Sequence, residues 1–138
     1  MKVNNPKLTA TNPHFKSKFA PLGEVLRVIN EALPEGWVID QTVGSNADGE
    51  PQMCSVLRNE KGVAVKQCNI PFIIGKSDPQ GLGSALTYHR RYGLCLLFNL
   101  VGEDDDDGNA ATPQPKTKKS GSTTATDNKS GFKKVEKF

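Results

Sequence analysis

The chain predicts an α+β domain: a helix, a three-stranded antiparallel sheet and a long central helix, followed by a disordered C-terminal tail. Three observations predict it. Apolar residues between Leu22 and Leu33 recur at three- and four-residue spacing. Residues 37–70 instead alternate and are broken by turn signals. Residues 78–101 then return to a helical pattern behind a strong start signal.

Residues 1–11 carry no periodicity and read as a flexible arm. The first helix begins at Pro21, with Leu22, Val25, Leu26, Ile29 and Leu33 on its apolar face, and Pro34 and Gly36 stop it. Residues 37–43 place Trp37, Ile39 and Val43 on one side and Asp40 and Thr42 on the other, the pattern of a half-buried strand. A turn-rich loop from Gly44 to Pro51 leads to a second strand, Gln52 to Arg58. The tight turn Asn59-Glu60-Lys61-Gly62 returns the chain as a third, Val63 to Ile70, ended or edged by Pro71. Phe72-Ile73-Ile74 is a short apolar run that extends the sheet in this reading. The domain then runs from residue 12 to 102, and 103–138 form an acidic run and a lysine-rich tail. That tail holds mostly Lys, Ser, Thr, Gly, Asn and Pro, too little apolar surface to fold alone.

The second helix carries the chemistry. Asp78 is a good N-cap and Pro79 suits the first helical position, where a missing N–H is harmless. Gly81 and Gly83 each cost about 1 kcal/mol against alanine inside a helix, so another backbone or a ligand is expected to approach that turn. On a wheel of about 100° per residue, Leu82, Ala85, Leu86, His89, Gly93, Leu96, Leu97 and Leu100 share one face. Ser84, Thr87, Tyr88 and Arg91 share the other, with Arg90 at its flank. The half around Leu94-Cys95-Leu96-Leu97-Phe98 is apolar nearly all round and reads as the central buried element. A guanidinium, hydroxyls and a phenol on one face suit phosphate and nucleobase contacts; a solvated outer face on an ordinary core helix is the other reading. Lys76 stands just ahead of the helix N-terminus, where backbone N–H groups favour anions. In Phe15-Lys16-Ser17-Lys18-Phe19, Lys16 and Lys18 are candidates for backbone phosphates, while Phe15 and Phe19 are expected to pack. Lys66 and Arg58 are weaker candidates on the hairpin.

Composition excludes several classes. Residues 1–102 carry eleven Lys/Arg against eight Asp/Glu, and residues 108–138 seven lysines against two acids. A weakly basic body with a basic tail fits an anionic polymer. Gly75-Lys76-Ser77 is no phosphate loop, because the glycine that motif needs five residues earlier is Ile70. Five consecutive acids, Glu103 to Asp107, repel one another and lack the rigid frame of a two-metal site. Two histidines without a Cys-x-x-Cys pair argue against zinc. No cofactor, metal or catalytic residue is expected, and the chain does not read as an enzyme. No apolar run is long enough to cross a membrane and no signal peptide is evident. Cys54, Cys68 and Cys95 read as buried free thiols in a reducing compartment.

Asp78 to Tyr92, followed by Glu103-Asp104-Asp105-Asp106-Asp107-Gly108-Asn109, resembles the signature of the ERF (essential recombination function) superfamily, single-strand annealing proteins mostly encoded by bacteriophages and prophages. Thr11-Asn12-Pro13-His14-Phe15-Lys16-Ser17-Lys18-Phe19-Ala20-Pro21-Leu22 resembles its N-terminal motif. The resemblance covers roughly residues 9–109, and 40–74 match only in general pattern. It implies ATP-independent binding of single-stranded DNA and annealing of complementary strands in homologous recombination. It also implies a homo-oligomeric ring or helical filament, a single-strand-binding protein or exonuclease as further partner, and a place in the cytoplasm of a bacterial host. Family members usually carry a helical segment ahead of the Asn12-Pro13-His14-Phe15 motif, where this chain has an Asn-, Lys- and Pro-rich stretch. Binding a strand by its backbone needs cations, hydroxyl donors and stacking rings, and the residues expected to bind DNA on that ground are Lys16, Lys18, Lys76, Ser84, Thr87, Tyr88, Arg90 and Arg91. The alternative is an oligomeric interaction module that recruits a replication or recombination protein without annealing.

Overall fold

The computed structural model describes residues 1–105. The order is β1 (Ala10–Thr11), β2 (Lys18–Phe19), α1 (Leu22–Ala32), β3 (Val38–Ser45), β4 (Pro51–Arg58), β5 (Ala64–Pro71) and α2 (Pro79–Phe98). This is the α+β arrangement expected, with a β3-β4-β5 antiparallel sheet and an added two-stranded β1-β2 pair. The tail expected to be disordered, and Asp106 and Asp107 of the acidic run, lie outside the described residues.

Register follows from burial. Met53, Ser55 and Leu57 of the central strand β4 point at the helices and are buried. They pair with Val43, Gln41 and Ile39 on one side and with Ile70, Cys68 and Lys66 on the other. A one-residue slip would turn that row to solvent, so the buried face specifies the pairing. The outer face is bare of helix and carries the Arg58–Asp40 ion pair at 2.7 Å. Arg58, one of the weaker DNA candidates, is thereby occupied, its Nη1 also donating to the Gly62 carbonyl.

Helix α2 joins two apolar clusters. Its N-terminal half packs Ala85 and Leu86 against Met53, Ile70 and Phe72. Its C-terminal half packs Leu94 against Val25, Val28 and Ile29 of α1 and against Ala20. The helix can lie close on β4 because residue 93 is glycine: a Cβ there would meet Ser55 Oγ at 2.7 Å. Gln41 bridges the same seam, its Nε2 donating to Ser55 Oγ and to the Arg90 carbonyl, both at 3.0 Å. Buried polar groups are thus paired across the layer.

The ends of α2 are chemically marked. Asp78 Oδ1 accepts the Gly81 N–H at 2.6 Å, the N-cap read in the sequence. The close approach expected at Gly81 is the chain's own backbone, since a Cβ there would stand 2.1 Å from the Lys76 carbonyl oxygen. Gly83 has nothing within 4 Å. The helix stops at Phe98, short of Val101, because Asn99 takes a left-handed conformation (φ 55°, ψ 48°). The Leu100 N–H then bonds back to the Cys95 carbonyl at 2.8 Å, a Schellman-type ending that asparagine tolerates.

Four expectations are corrected. The N-terminal arm is not loose: Pro6 is buried, Val3 and Leu8 pack on the α1–α2 core, and Asn5 Oδ1 accepts the Val101 N–H at 3.0 Å. Its apolar residues are too sparse for a periodic signal yet enough to cover α1. The second half of α2 is not buried all round, Leu96 being 62% exposed. Phe72-Ile73-Ile74 does not extend the sheet; only Phe72 turns inward, its N–H donating to the Pro51 carbonyl. The cysteines are free, as expected, but half-buried rather than buried. Desolvation pushes the Cys68 and Cys95 thiols above their ordinary value.

Two outcomes test this packing. Gly93→Ala should lower stability by about 1–3 kcal/mol through overpacking, read as a drop in Tm, whereas Gly83→Ala should stabilise by about 1 kcal/mol. Glu24 anchors the arm: its carboxylate accepts from Arg27 Nε and from the Lys7 backbone N–H at 3.1 Å. Arg27 first, then the Lys7 N–H, lower its pKa from 4.5 to about 2. A depressed carboxyl contributes stability above its unfolded value and loses it as pH falls through the folded value. The protection of the amides of residues 3–8, taken relative to the intrinsic exchange rate, should therefore fall between pH 4.5 and about 2, and Glu24→Gln should abolish that step.

Candidate nucleic-acid interface

Tyr88 and Tyr92 stand one helical turn apart on α2. Their rings stack at 6.2 Å between centroids with 27° between planes, and each residue is 44% exposed. They form the shared wall of two adjoining hollows. One, of about 530 Å³, runs towards the start of α2 past Ser84, Gln80, Lys76 and Ile73. The other, of about 210 Å³, runs under the β1-β2 hairpin past Asn12, Phe15, Ser17 and Phe19. Together they make a groove along one side of α2.

The floor of the first hollow is held by His89. Its Nδ1 lies 2.6 Å from the Ala85 carbonyl and its Nε2 accepts the Ile73 N–H at 3.1 Å. This pattern assigns the proton to Nδ1. The ring also packs on Phe72 at 4.8 Å. His89 therefore fixes the strand-to-helix connection, leaving Ile73 exposed on the rim and Lys76 beside the first turn of α2.

The second hollow is built around Arg91, which is buried at 5% exposure. Its guanidinium carbon lies 4.5 Å from the Phe19 ring centroid, 5.0 Å from Tyr88 and 5.1 Å from Tyr92. Its Nη2 donates to Glu103 Oε1 at 2.6 Å. Glu103 is placed by backbone pairing: the Ala20 N–H donates to the Gly102 carbonyl, Phe19 bridges Glu103, and the Asp104 N–H donates to the Lys18 carbonyl. The Lys18 N–H in turn donates to Asp104 Oδ2 at 2.9 Å. The start of the acidic run is thus tied to the hairpin by one isolated antiparallel bridge and its flanking hydrogen bonds. Burial, then the nearby Glu103 carboxylate, push the Tyr92 phenol above its ordinary value, against the pull of Arg91.

The hairpin loop is shaped by Asn12, whose Oδ1 accepts the His14 and Phe15 N–H groups. Lys16 closes the loop in the left-handed region at φ 54°, unusual for a long side chain. Lys16 and Lys18 are both exposed. Phe15, expected to pack, is 59% exposed at the mouth of the hollow, while Phe19 packs on Arg91 as expected.

The structure thus brings Lys76, Ser84 and Tyr88 into one groove, with Lys16 and Lys18 on the hairpin that walls its far end. It sets the other expected DNA contacts apart. Arg90, about 200° round the helix from Tyr88, lines a separate hollow between α1 and β3, its Nε donating to Gln41 Oε1 at 3.2 Å. Thr87 turns its hydroxyl back to the Gly83 carbonyl at 3.1 Å. Arg91 does share the Tyr88 side, but the expectation of an open face there is corrected: the hairpin and residues 102–104 cover it. Tyr92, which with Tyr88 can stack or pack at their four-residue spacing, lines the groove, as do Gln80 and Glu103, which were not expected to touch DNA. Glu103 left no signal, since its role depends on a pairing 84 positions away along the chain. Among the described residues no group of His, Cys, Asp or Glu could hold a metal ion, and no helix is long and apolar enough to cross a membrane.

A small α+β domain with an aromatic groove between a lysine-bearing hairpin and a helix start is the class so defined. The sequence profile of the ERF superfamily matches residues 1–134, and the chain belongs to that superfamily. No curated protein and no solved structure matches it significantly. Membership ties the chain to DNA recombination and annealing, and ERF annealing proteins are generally not enzymes.

Arg91→Ala should lower stability by about 2 kcal/mol, from lost ring contacts and the lost pair with Glu103. Denaturant unfolding followed by tyrosine fluorescence checks this. Thr87→Ala, by contrast, should be within about 0.5 kcal/mol of the parent.

Proposed function

We propose that the protein binds single-stranded DNA in the Tyr88/Tyr92 groove and anneals complementary strands without ATP or metal. The observation that carries this reading is the pair of exposed, mutually stacked tyrosines between two sources of positive charge. Aromatic faces hold bases regardless of sequence, and lysines hold the backbone. Lys76, the Ser84 hydroxyl and the first turn of α2 supply phosphate contacts at one end. Lys16 and Lys18 supply them at the other, and exposed Phe15 offers a further ring. Such contacts carry no base information, which suits a protein that must accept any strand and leave base edges free to test a complement. Arg90 faces away from this groove and serves as a candidate for a second strand or a neighbouring subunit.

Each exposed charged contact is worth about 1 kcal/mol or less, so one groove binds weakly. Repetition along a homo-oligomer, ring or filament, multiplies the contacts on one strand. Both edge strands of the main sheet, β3 and β5, have one unpaired side, which favours coverage by a neighbour. The lysine-rich tail adds steering charge or recruits a single-strand-binding protein or exonuclease in the host cytoplasm.

Two complementary fluorescent oligonucleotides mixed in EDTA without nucleotide should pair faster with protein than without it. Tyr88→Ala should weaken oligonucleotide binding by about 1–3 kcal/mol per subunit while leaving the fold intact by circular dichroism. Affinity should fall with salt at a log–log slope of about −0.7 per phosphate neutralised. A flat salt response, or pairing no faster than without protein, would instead favour an interaction module.

A further inference from the structure

Arg91 has more donor capacity than its surroundings use. A guanidinium carries five N–H groups; Nη2 is engaged by Glu103 at 2.6 Å, while Nε is buried with no partner. Leaving such a donor unsatisfied is costly unless another acceptor takes it in some state of the protein. The hollow of about 210 Å³ opens on this group, with Asn12, Ser17 and Tyr88 around it.

The two halves of the ion pair are unequal. The Arg91 side chain is 6% exposed, that of Glu103 42%. Three rings hold the cation, whereas the carboxylate stands at the solvent side of the pair. Glu103 is fixed through its backbone on β2, so its side chain can leave by rotation alone with the strand pairing intact. A phosphodiester is a suitable replacement, being an anion whose oxygens suit the planar guanidinium fork. Charge balance agrees: adding Glu103, Asp104 and Asp105 brings residues 1–105 to eleven basic and eleven acidic side chains, with Glu103 and Asp104 lining the groove.

The geometry points to a concealed phosphate site: Arg91 is the innermost phosphate-binding residue of the groove, and Glu103 occupies its place as an internal anion until a strand displaces it. This rests on the single-strand reading proposed above, and it gives Glu103, at the start of the acidic run, one particular cation for which to compete with DNA.

The test titrates the full-length protein, labelled with ¹⁵N and ¹³C, with oligothymidylate. The Arg91 Nε–H and Glu103 side-chain carboxyl resonances should shift together as the strand binds. Glu103→Gln should tighten binding about fivefold, the factor matching about 1 kcal/mol for an ion pair whose carboxylate is partly exposed. It should also steepen the salt slope, because no displaced carboxylate is left to draw back a cation as the strand releases its own. Asp105→Asn removes one negative charge without touching Arg91 and should tighten binding less. A strand that binds with both resonances unmoved overturns the inference, as does a folded Glu103→Gln protein that binds no tighter than Asp105→Asn. Should Glu103→Gln fail to fold, the wild-type titration decides alone. Absence of any oligothymidylate binding overturns the single-strand reading and this site with it.

Discussion

The cation held between three rings and a carboxylate is the constraint on which the rest depends. Arg91 belongs to α2, Phe19 to the hairpin and Glu103 to the segment beyond the helix. No two of these elements share an extensive apolar surface here, so one guanidinium joins all three. It also backs Tyr88 and Tyr92, since each ring lies with one part against the cation. Desolvating a guanidinium is unfavourable unless charge and ring faces compensate it, and this site supplies both. The groove is therefore walled by residues whose other surfaces are committed to structure.

The second constraint is the closeness of α2 to the sheet. Gly93 lets the helix approach Ser55, and Gln41 then satisfies both the serine hydroxyl and the Arg90 carbonyl. A larger residue at 93 would lift the helix and open that polar seam. The same rotation of α2 that puts Gly93 on the sheet sends Arg90 towards α1 and the tyrosines to the opposite flank. Which of the expected DNA contacts meet in one groove is thus decided by helix packing.

Much of this was legible in the chain. The period of Leu22 to Leu33, the alternation of residues 37–43 and the Asn59–Gly62 turn each correspond to an element found within a few residues of its expected bounds. The Asp78 cap and the close approach at Gly81 were readable because both are local. What was not legible depended on contacts distant in sequence. The wheel correctly placed Arg91 beside Ser84 and Tyr88, but no periodicity could say that residues 10–19 and 102–104 would cover it. The arm failed for a related reason: Val3, Pro6 and Leu8 have no period of their own, and their burial is dictated by the α1 surface they meet. Asn99 is a different case. An asparagine before Leu100 is a recognisable helix stop, and the apolar run around it masked the signal.

The Lys18–Asp104 contact links residues 86 apart along the chain. Closing a flexible loop of that length costs about 4 kcal/mol in chain entropy, set against a few hydrogen bonds and one ion pair. Such a closure gains nothing until α1, the sheet and α2 have already brought its two ends together, so it is expected to form last during folding and to release first in local opening. The wall of the groove is then assembled only on a finished domain. A partly folded chain would carry its tyrosines and Arg91 without Phe19 and Glu103 closed over them, and would bare that cation to any anion it met.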